Sequence, residues 1–232
     1  LKFTFVTLFP SIIEGYFSDS ILARAIDGDK ISIDYVNPRD YSTNRHQKVD
    51  APMISGGAGM LMTPQPLIDS INDIKQKNAD SHVVFLTPVG KRFQQNDAKR
   101  LAKKDHLILV SGRYEGIDER VIELMADELF SIGDYILTGG ELASMVVCDA
   151  ISRNVVGVLG NSESLTVESF EEPLLEAPSF TKPTNYENSM VISEFLKGNH
   201  SKITALKREL SLSKTKYFRP DLYQKIKTKG IK

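Results

Sequence analysis

The chain reads as an α/β fold with a mostly parallel sheet, followed by a small helical C-terminal domain. Three observations lead there. Short apolar runs alternate with helical patterns over the first two thirds, the pattern changes after Gly160, and positive charge is concentrated at the C-terminal end. Strands that alternate with helices at such lengths pair in parallel, because each crossover helix must cover the sheet it spans.

In chain order, Phe3–Phe9 is a buried strand. Ser11 with Glu14 has the spacing of a capping box and opens a helix that runs to about Ile26. Ile31–Val36 alternates apolar and polar residues, the signature of a strand. Pro66–Gln76 is helical, Val83–Leu86 a strand, Asn96–Lys104 a helix and His106–Val110 a strand. A glycine-rich turn leads into a helix over Asp118–Met125, a short strand ends near Ile132, and Glu141–Ser152 forms an apolar helix. Residues 1–160 make the first domain. Residues 161–172, rich in Ser and Glu and without a period, form a linker that stays flexible unless something binds it. Residues 173–232 carry helical signals: Ser201–Leu212 sets Ile203, Leu206 and Leu210 on one side, and Arg219-Pro220-Asp221 introduces a last short helix.

Composition excludes several classes. The 232 residues hold no apolar run of transmembrane length, and Leu1–Pro10 lacks a signal-peptide cleavage pattern, so no membrane is expected. Cys148 is the only cysteine, which rules out an internal disulfide and suits a cytoplasmic protein. It sits in an apolar run as a core residue. His46, His82, His106 and His200 are scattered without the spacing of metal ligands, and no dedicated metal site is expected. Net charge is −1 overall, yet residues 195–232 hold 11 Lys/Arg against 2 Asp/Glu, and the other 194 hold 18 against 28. A basic segment on an acidic body is the footprint of a polyanion binder, although a solvated lysine-rich tail has the same composition.

Three glycine-rich segments stand out: Ser55–Gly59, Gly112–Gly116, and Gly133 with Gly139-Gly140. None is a dinucleotide fingerprint or a phosphate loop. Two of them follow expected strands, at the sheet edge where open α/β folds bind ligands. Each alone is consistent with an ordinary tight turn. Together they favour a ligand site.

Two longer motifs are more specific. Ser111–Val121 reads SGRYEGIDERV, and Ser131–Leu142 reads SIGDYILTGGEL. With Leu8–Pro10, Pro38–Asp40, Gly57–Met62, Asp149–Arg153, Gly157–Gly160 and Lys197–His200 in the same order, the chain closely resembles the bacterial tRNA (guanine-N1)-methyltransferase family over nearly its whole length. The resemblance implies a deep trefoil knot of the SPOUT-like class within the first domain, a rare exception to the unknotted rule. It also implies S-adenosylmethionine as methyl donor, held mainly by backbone groups. The implied donor-binding residues are Pro88, Gly112, Tyr114, Glu115, Ser131, Ile132, Gly133, Tyr135, Leu137, Gly139 and Gly140. It further implies a homodimer with the active site between subunits, a tRNA anticodon stem-loop as partner, and a reaction dependent on magnesium.

The implied chemistry is methyl transfer to N1 of guanosine at position 37 of tRNA. The donor is already activated, so positioning dominates. Guanine N1 must lose a proton, and a carboxylate with a reference pKa of ~4.3 is a weak base for it, so charge on O6 needs a cation. By resemblance the base is Glu168 and the cation is Arg153. The family usually has Asp at the first position; Glu extends the carboxylate by about 1.5 Å. Without the resemblance, Glu168 is one of several linker acids and Arg153 a charge at a helix C-terminus. Two further departures lie in the Met53–Gly59 loop, where Ser55 replaces a glycine and Ala58 a proline. A positive φ at Ser55 would be strained. Ala143 also stands where other members have proline.

Lys182, Lys197, Lys202, Lys207, Arg208, Lys214 and Arg219 are candidate phosphate contacts. Tyr217 and Phe218 are available for base stacking, with core packing the competing role for Phe218. Three other readings remain open: a knotted RNA methyltransferase with another target, a non-catalytic RNA-binding relic, and a nucleotide-binding α/β protein unrelated to RNA.

Overall fold

The computed structural model of the chain describes residues 1–160 and 168–228. The chain divides into two compact units, Leu1–Gly160 and Asn161–Lys232. In the first, five strands form one sheet: β1 (Lys2–Val6), β2 (Ser32–Val36), β5 (His82–Arg92), β6 (His106–Ser111) and β7 (Glu128–Ser131). Their spatial order is β2-β1-β6-β5-β7, and every pairing is parallel. The helices are α1 (Pro10–Phe17), α2 (Ser20–Asp27), α3 (Pro64–Lys77), α4 (Gln95–Leu101), α5 (Glu119–Met125) and α6 (Glu141–Ser152). A short hairpin of β3 (Asp50–Pro52) and β4 (Met60–Met62) and a 3-10 turn at Pro38–Tyr41 complete the unit.

The two-residue period of the strands divides the core. Phe3, Phe5, Val84, Leu86, Leu107 and Leu109 face one layer with residues of α1, α2, α4 and α6. Val6, Val83, Phe85, Ile108 and Val110 face the other layer with residues of α3 and α5. β6 is buried at every position, as a central parallel strand must be. Cys148 lies in the first layer with no exposure, and burial pushes its thiol pKa up, in keeping with a packing role.

Several expectations change. The helix expected from Ser11 to Ile26 is two helices: Asp19 caps α2, and Ser20 adopts a positive φ of 63°. The capping box does not form, because Phe9 occupies the cap position of α1 and Pro10 fills its first turn. β5 runs well past Leu86. Leu86 and Lys91 both pair with Phe130, so Thr87–Gly90 bulge out between them. Gly90 lies so close to β7 that a Cβ there would fall 2.5 Å from the Phe130 nitrogen.

In the second unit the helical expectation from Pro173 fails as far as His200. Turns, a hairpin of β8 (Asn185–Tyr186) and β9 (Ser189–Met190), and a 3-10 turn at Ser193–Leu196 come first. Helices α7 (His200–Phe218) and α8 (Pro220–Thr228) follow and pack together. Of the expected linker, residues 161–167 lie outside the described residues. Residues 168–172 form hydrogen-bonded turns, with Glu171 N–H donating to the Glu168 carbonyl and Phe170 N–H to that of Leu174. Phe218 is 64% exposed and meets Tyr217 edge to face at 4.7 Å, so it is not a core residue.

The N-terminal end of the sheet holds a buried histidine. The Ser81 hydroxyl donates to the Asn78 carbonyl, so it accepts from His106 Nδ1 at 2.7 Å. That leaves Nε2 to accept from the Thr4 hydroxyl at 2.8 Å. Burial, then the Lys2 charge, holds the imidazole below its ordinary value of 6.5, while Asp34 opposes this. The unfolded chain therefore takes up the proton more readily, and stability falls as pH drops below about 6.5. Thermal unfolding should lose more between pH 7.5 and 5.5 in the natural chain than in His106→Gln. Equal losses would remove His106 as the cause.

Candidate active site

The carboxyl ends of β1, β5, β6 and β7 meet at one edge of the sheet, and the loops that leave them carry the residues singled out above. β1 continues to β2 on one side, while β6 continues through α5 to β7 on the other. The order therefore reverses between β1 and β6, the place where open sheets leave a crevice.

This edge of the sheet is organised around a buried charge. Glu141, the first residue of α6, has a side chain 2% exposed. Its Oε1 accepts from the Thr7 hydroxyl at 2.8 Å, just beyond β1. Its Oε2 faces Arg113 Nε at 2.8 Å, too far out of line for a hydrogen bond, so the contact is ionic. Arg113 leaves the end of β6, lies over the Phe9 ring at 4.7 Å, and donates to the Thr138 carbonyl at 3.3 Å. The Thr7 hydroxyl also accepts from Phe9 N–H at 3.0 Å. Three loops are thus tied to one carboxylate, which also favours the N-terminus of α6 through the helix dipole.

Close backbone contact reinforces the tie. Gly140 N–H donates to the Gly112 carbonyl at 2.8 Å, and a Cβ on Gly140 would stand 2.8 Å from the Gly112 nitrogen and the Ser111 Cα. Only glycine permits that approach. Below it, the Ser111 and Ser144 hydroxyls pair at 2.8 Å in the interior.

Most of the expected donor residues lie on these loops. Ser131 is buried, its hydroxyl donating to the Gly133 carbonyl and accepting from Gly133 N–H. Leu137 and Ile132 pack on the core, while Tyr135 is exposed. Tyr114 takes a positive φ of 59°, uncommon for a bulky residue, and its hydroxyl accepts from Arg39 at 3.3 Å. Glu115 is exposed and lies against Gly59, its N–H donating to the Met60 carbonyl. Pro88 is exposed on the bulge of β5. Among the described residues, the backbone N–H groups of Ile132, Tyr135, Leu137 and Gly139 make no hydrogen bond. Free main-chain donors beside apolar side chains suit a ligand with an aromatic base and a ribose. Ser55 has no positive φ; Gly56, Gly57 and Gly59 carry the strained positions of their loop, so the expected strain is absent.

Arg153 follows α6, half-buried, its N–H bonded to the Asp149 and Ile151 carbonyls. Glu168 belongs to the second unit, where it lines a cleft of about 440 Å³ with Leu174, Lys207 and Arg208. Among the candidate phosphate contacts, Arg208 is paired with Glu172, Arg219 with Asp221 and Lys197 with Glu194. Among the described residues no ion pair involves Lys182, Lys202, Lys207 or Lys214, and no group of three or more His, Cys, Asp or Glu could hold a metal. No helix among them is long and apolar enough to cross a membrane.

The sequence model described as tRNA (Guanine-1)-methyltransferase TrmD matches residues 1–225. The chain belongs to the tRNA (guanine-N1)-methyltransferase family. Among its relatives, a tRNA (guanine-N(1)-)-methyltransferase of Sulfurovum sp. (strain NBC37-1) is 74% identical over 225 residues, covering 97% of this chain and 99% of the relative. Proteins of the same name from Sulfurimonas denitrificans and Campylobacter curvus are 65% and 60% identical, each over 98% of this chain and over 99% and 96% of their own lengths. For a member of this family, the residues sequence reasoning missed are Thr7, Arg113, Glu141 and Gly90. Arg113 and Glu141 lay inside the quoted motifs. The available signal was a carboxylate opening an otherwise apolar helix.

Gly140→Ala should be destabilised by about 1–3 kcal/mol, the usual range for overpacking. Chemical denaturation would measure it, and an unchanged midpoint would mean that the two loops can separate at no cost.

Proposed function

We propose that the chain transfers a methyl group from S-adenosylmethionine to N1 of guanosine at position 37 of tRNA. The observation that carries this reading is the family match over residues 1–225, with relatives named for guanine-N1 methylation of tRNA. The edge loops support it, since their free N–H groups, glycines and exposed Tyr135 fit the donor's adenine and ribose. In this reading the donor is held by Pro88, Gly112, Tyr114, Glu115, Ser131, Ile132, Gly133, Tyr135, Leu137, Gly139 and Gly140, and the chain of the first unit is threaded as a trefoil knot.

The donor supplies a methyl group on a sulfonium, which needs no further activation. Glu168 takes the N1 proton as the bond from N1 to the methyl carbon forms and the bond from that carbon to sulfur breaks. Arg153 donates to O6, where negative charge gathers as the proton leaves. The target base leaves its stack to reach the crevice, as enzymes acting on a base require. Lys182, Lys202, Lys207 and Lys214 supply phosphate contacts along the anticodon stem-loop. Magnesium, which the family resemblance implies, enters from solution.

A homodimer is part of the proposal. Ile12 and Tyr16 on α1 and Leu142 and Val146 on α6 are all 44% exposed or more on two helices that pack together. The Tyr16 hydroxyl bonds to Asp149 beside them, which with burial pushes its pKa up to about 12 and keeps it neutral. Such a face suits a second copy of the chain. A cytoplasmic setting follows from the substrate.

Labelled donor should methylate an unmodified tRNA transcript with guanosine at position 37 and not one with adenosine there. Transfer to neither, with donor binding intact and magnesium present, would move the reaction to another RNA or leave a non-catalytic binder. Glu168→Gln should lose turnover and keep donor binding. Arg153→Ala should turn over about 100-fold more slowly or worse, the scale of losing a charge-stabilising donor. Near-normal rates in either would remove that residue from its role.

A further inference from the structure

The segment that carries Glu168 is fastened to α7 at several points. Thr215, which has no exposure, donates its hydroxyl proton to the Ser211 carbonyl at 2.7 Å. Its oxygen is thereby left to accept from Leu175 N–H at 2.9 Å. Glu172 Oε2 meets Arg208 Nη1 at 2.6 Å, about two turns away along the same helix. Arg219, at the end of α7, lies 5.8 Å from the Phe170 ring centre. Within the segment, Glu176 N–H donates to the Ser169 hydroxyl at 3.0 Å, Phe170 takes a positive φ of 76°, and Leu174 is buried. A positive φ at a phenylalanine persists only where its surroundings hold it.

We infer that Thr215 and the Arg208–Glu172 pair are positioning residues for the reaction, setting where Glu168 is presented, and that Arg208 is not a phosphate contact. The inference rests on Glu168 being the base. Its physical ground is reach: a carboxylate on a turn is placed by whatever anchors the turn, and about 1 Å of misplacement costs on the order of 100-fold in rate. Thr215 fixes the backbone seven residues beyond Glu168 with one part-buried bond. The Arg208–Glu172 pair fixes it four residues beyond. The second unit therefore does more than carry lysines to RNA: its longest helix is the bed on which the base-bearing segment lies.

The two roles for Arg208 predict opposite results for its partner. Removing Glu172 frees Arg208. A phosphate contact would then bind tRNA as well or better with kcat unchanged, whereas a positioning pair would lose kcat at unchanged tRNA affinity. In the full-length protein, Glu172→Ala and Thr215→Val should each lower single-turnover methyl transfer at least tenfold at saturating tRNA and donor. Dissociation constants for both should stay within about twofold, and Thr215→Ser, which keeps the hydroxyl, should recover most of the rate. Arg208→Ala should leave the salt dependence of tRNA binding as it is, where a lost phosphate contact would lower the slope by about 1. Glu172 is exposed, so its variant tests the idea even if Thr215→Val folds poorly. Rates within twofold in Glu172→Ala and Thr215→Val, while Glu168→Gln is inactive, would overturn the inference alone. Full activity in Glu168→Gln would overturn it together with the base assignment.

Discussion

A single buried carboxylate sets the geometry of the sheet edge. Glu141 has almost no access to water; Arg113 faces it and the Thr7 hydroxyl bonds to it. Breaking such a pair by removing one partner costs about 3–5 kcal/mol, since the remaining charge is left buried alone. That cost enforces position. Thr7 must end β1, Arg113 must end β6, and α6 must begin, all within reach of one another. The Gly112–Gly140 backbone bond then closes the same corner from the other side.

The rest of the first unit makes this corner possible. Parallel strands deliver all their carboxyl ends to one edge, and helices on both faces bury the sheet so thoroughly that the loops are the only irregular backbone free to meet a ligand. The bulge at Thr87–Gly90 turns the end of β5 outward, so Pro88 stands clear of the ladder while β7 still pairs beyond it. Unpaired N–H groups along 132–139 are affordable here because the edge is open to solvent or to a ligand.

How far the sequence was legible follows from what each signal depends on. The limits of α6 were readable because its apolar run begins at a glycine pair and ends at a charge. The all-buried β6 was readable because nothing polar interrupts it. The break between α1 and α2 was marked only by the short polar run Ser18-Asp19-Ser20, a capping signal that the apolar pattern continuing across it masked. The bulge in β5 depends on a partner strand about 40 residues away and has no local mark beyond Pro88 and Gly90. Helix was expected from Pro173 onward, yet Pro173, Pro178, Pro183 and Gly198 interrupt the stretch before α7, which holds turns, a short hairpin and a 3-10 turn. At the site, motif residues could be named from their resemblance. The ionic tie between Arg113 and Glu141 could not, because it joins residues 28 positions apart through the fold rather than through a pattern.

The proposed binding of the donor at this edge rests on a buried charge that holds three loops together. The direct test is calorimetric titration of S-adenosylmethionine into the natural chain and into Glu141→Gln, with circular dichroism to establish that both are folded. Glu141→Gln keeps the shape and removes the charge. Donor affinity should fall at least tenfold while the sheet and helices persist. Equal affinity in a folded Glu141→Gln would show that the loops hold their positions without the ion pair, and would contradict it.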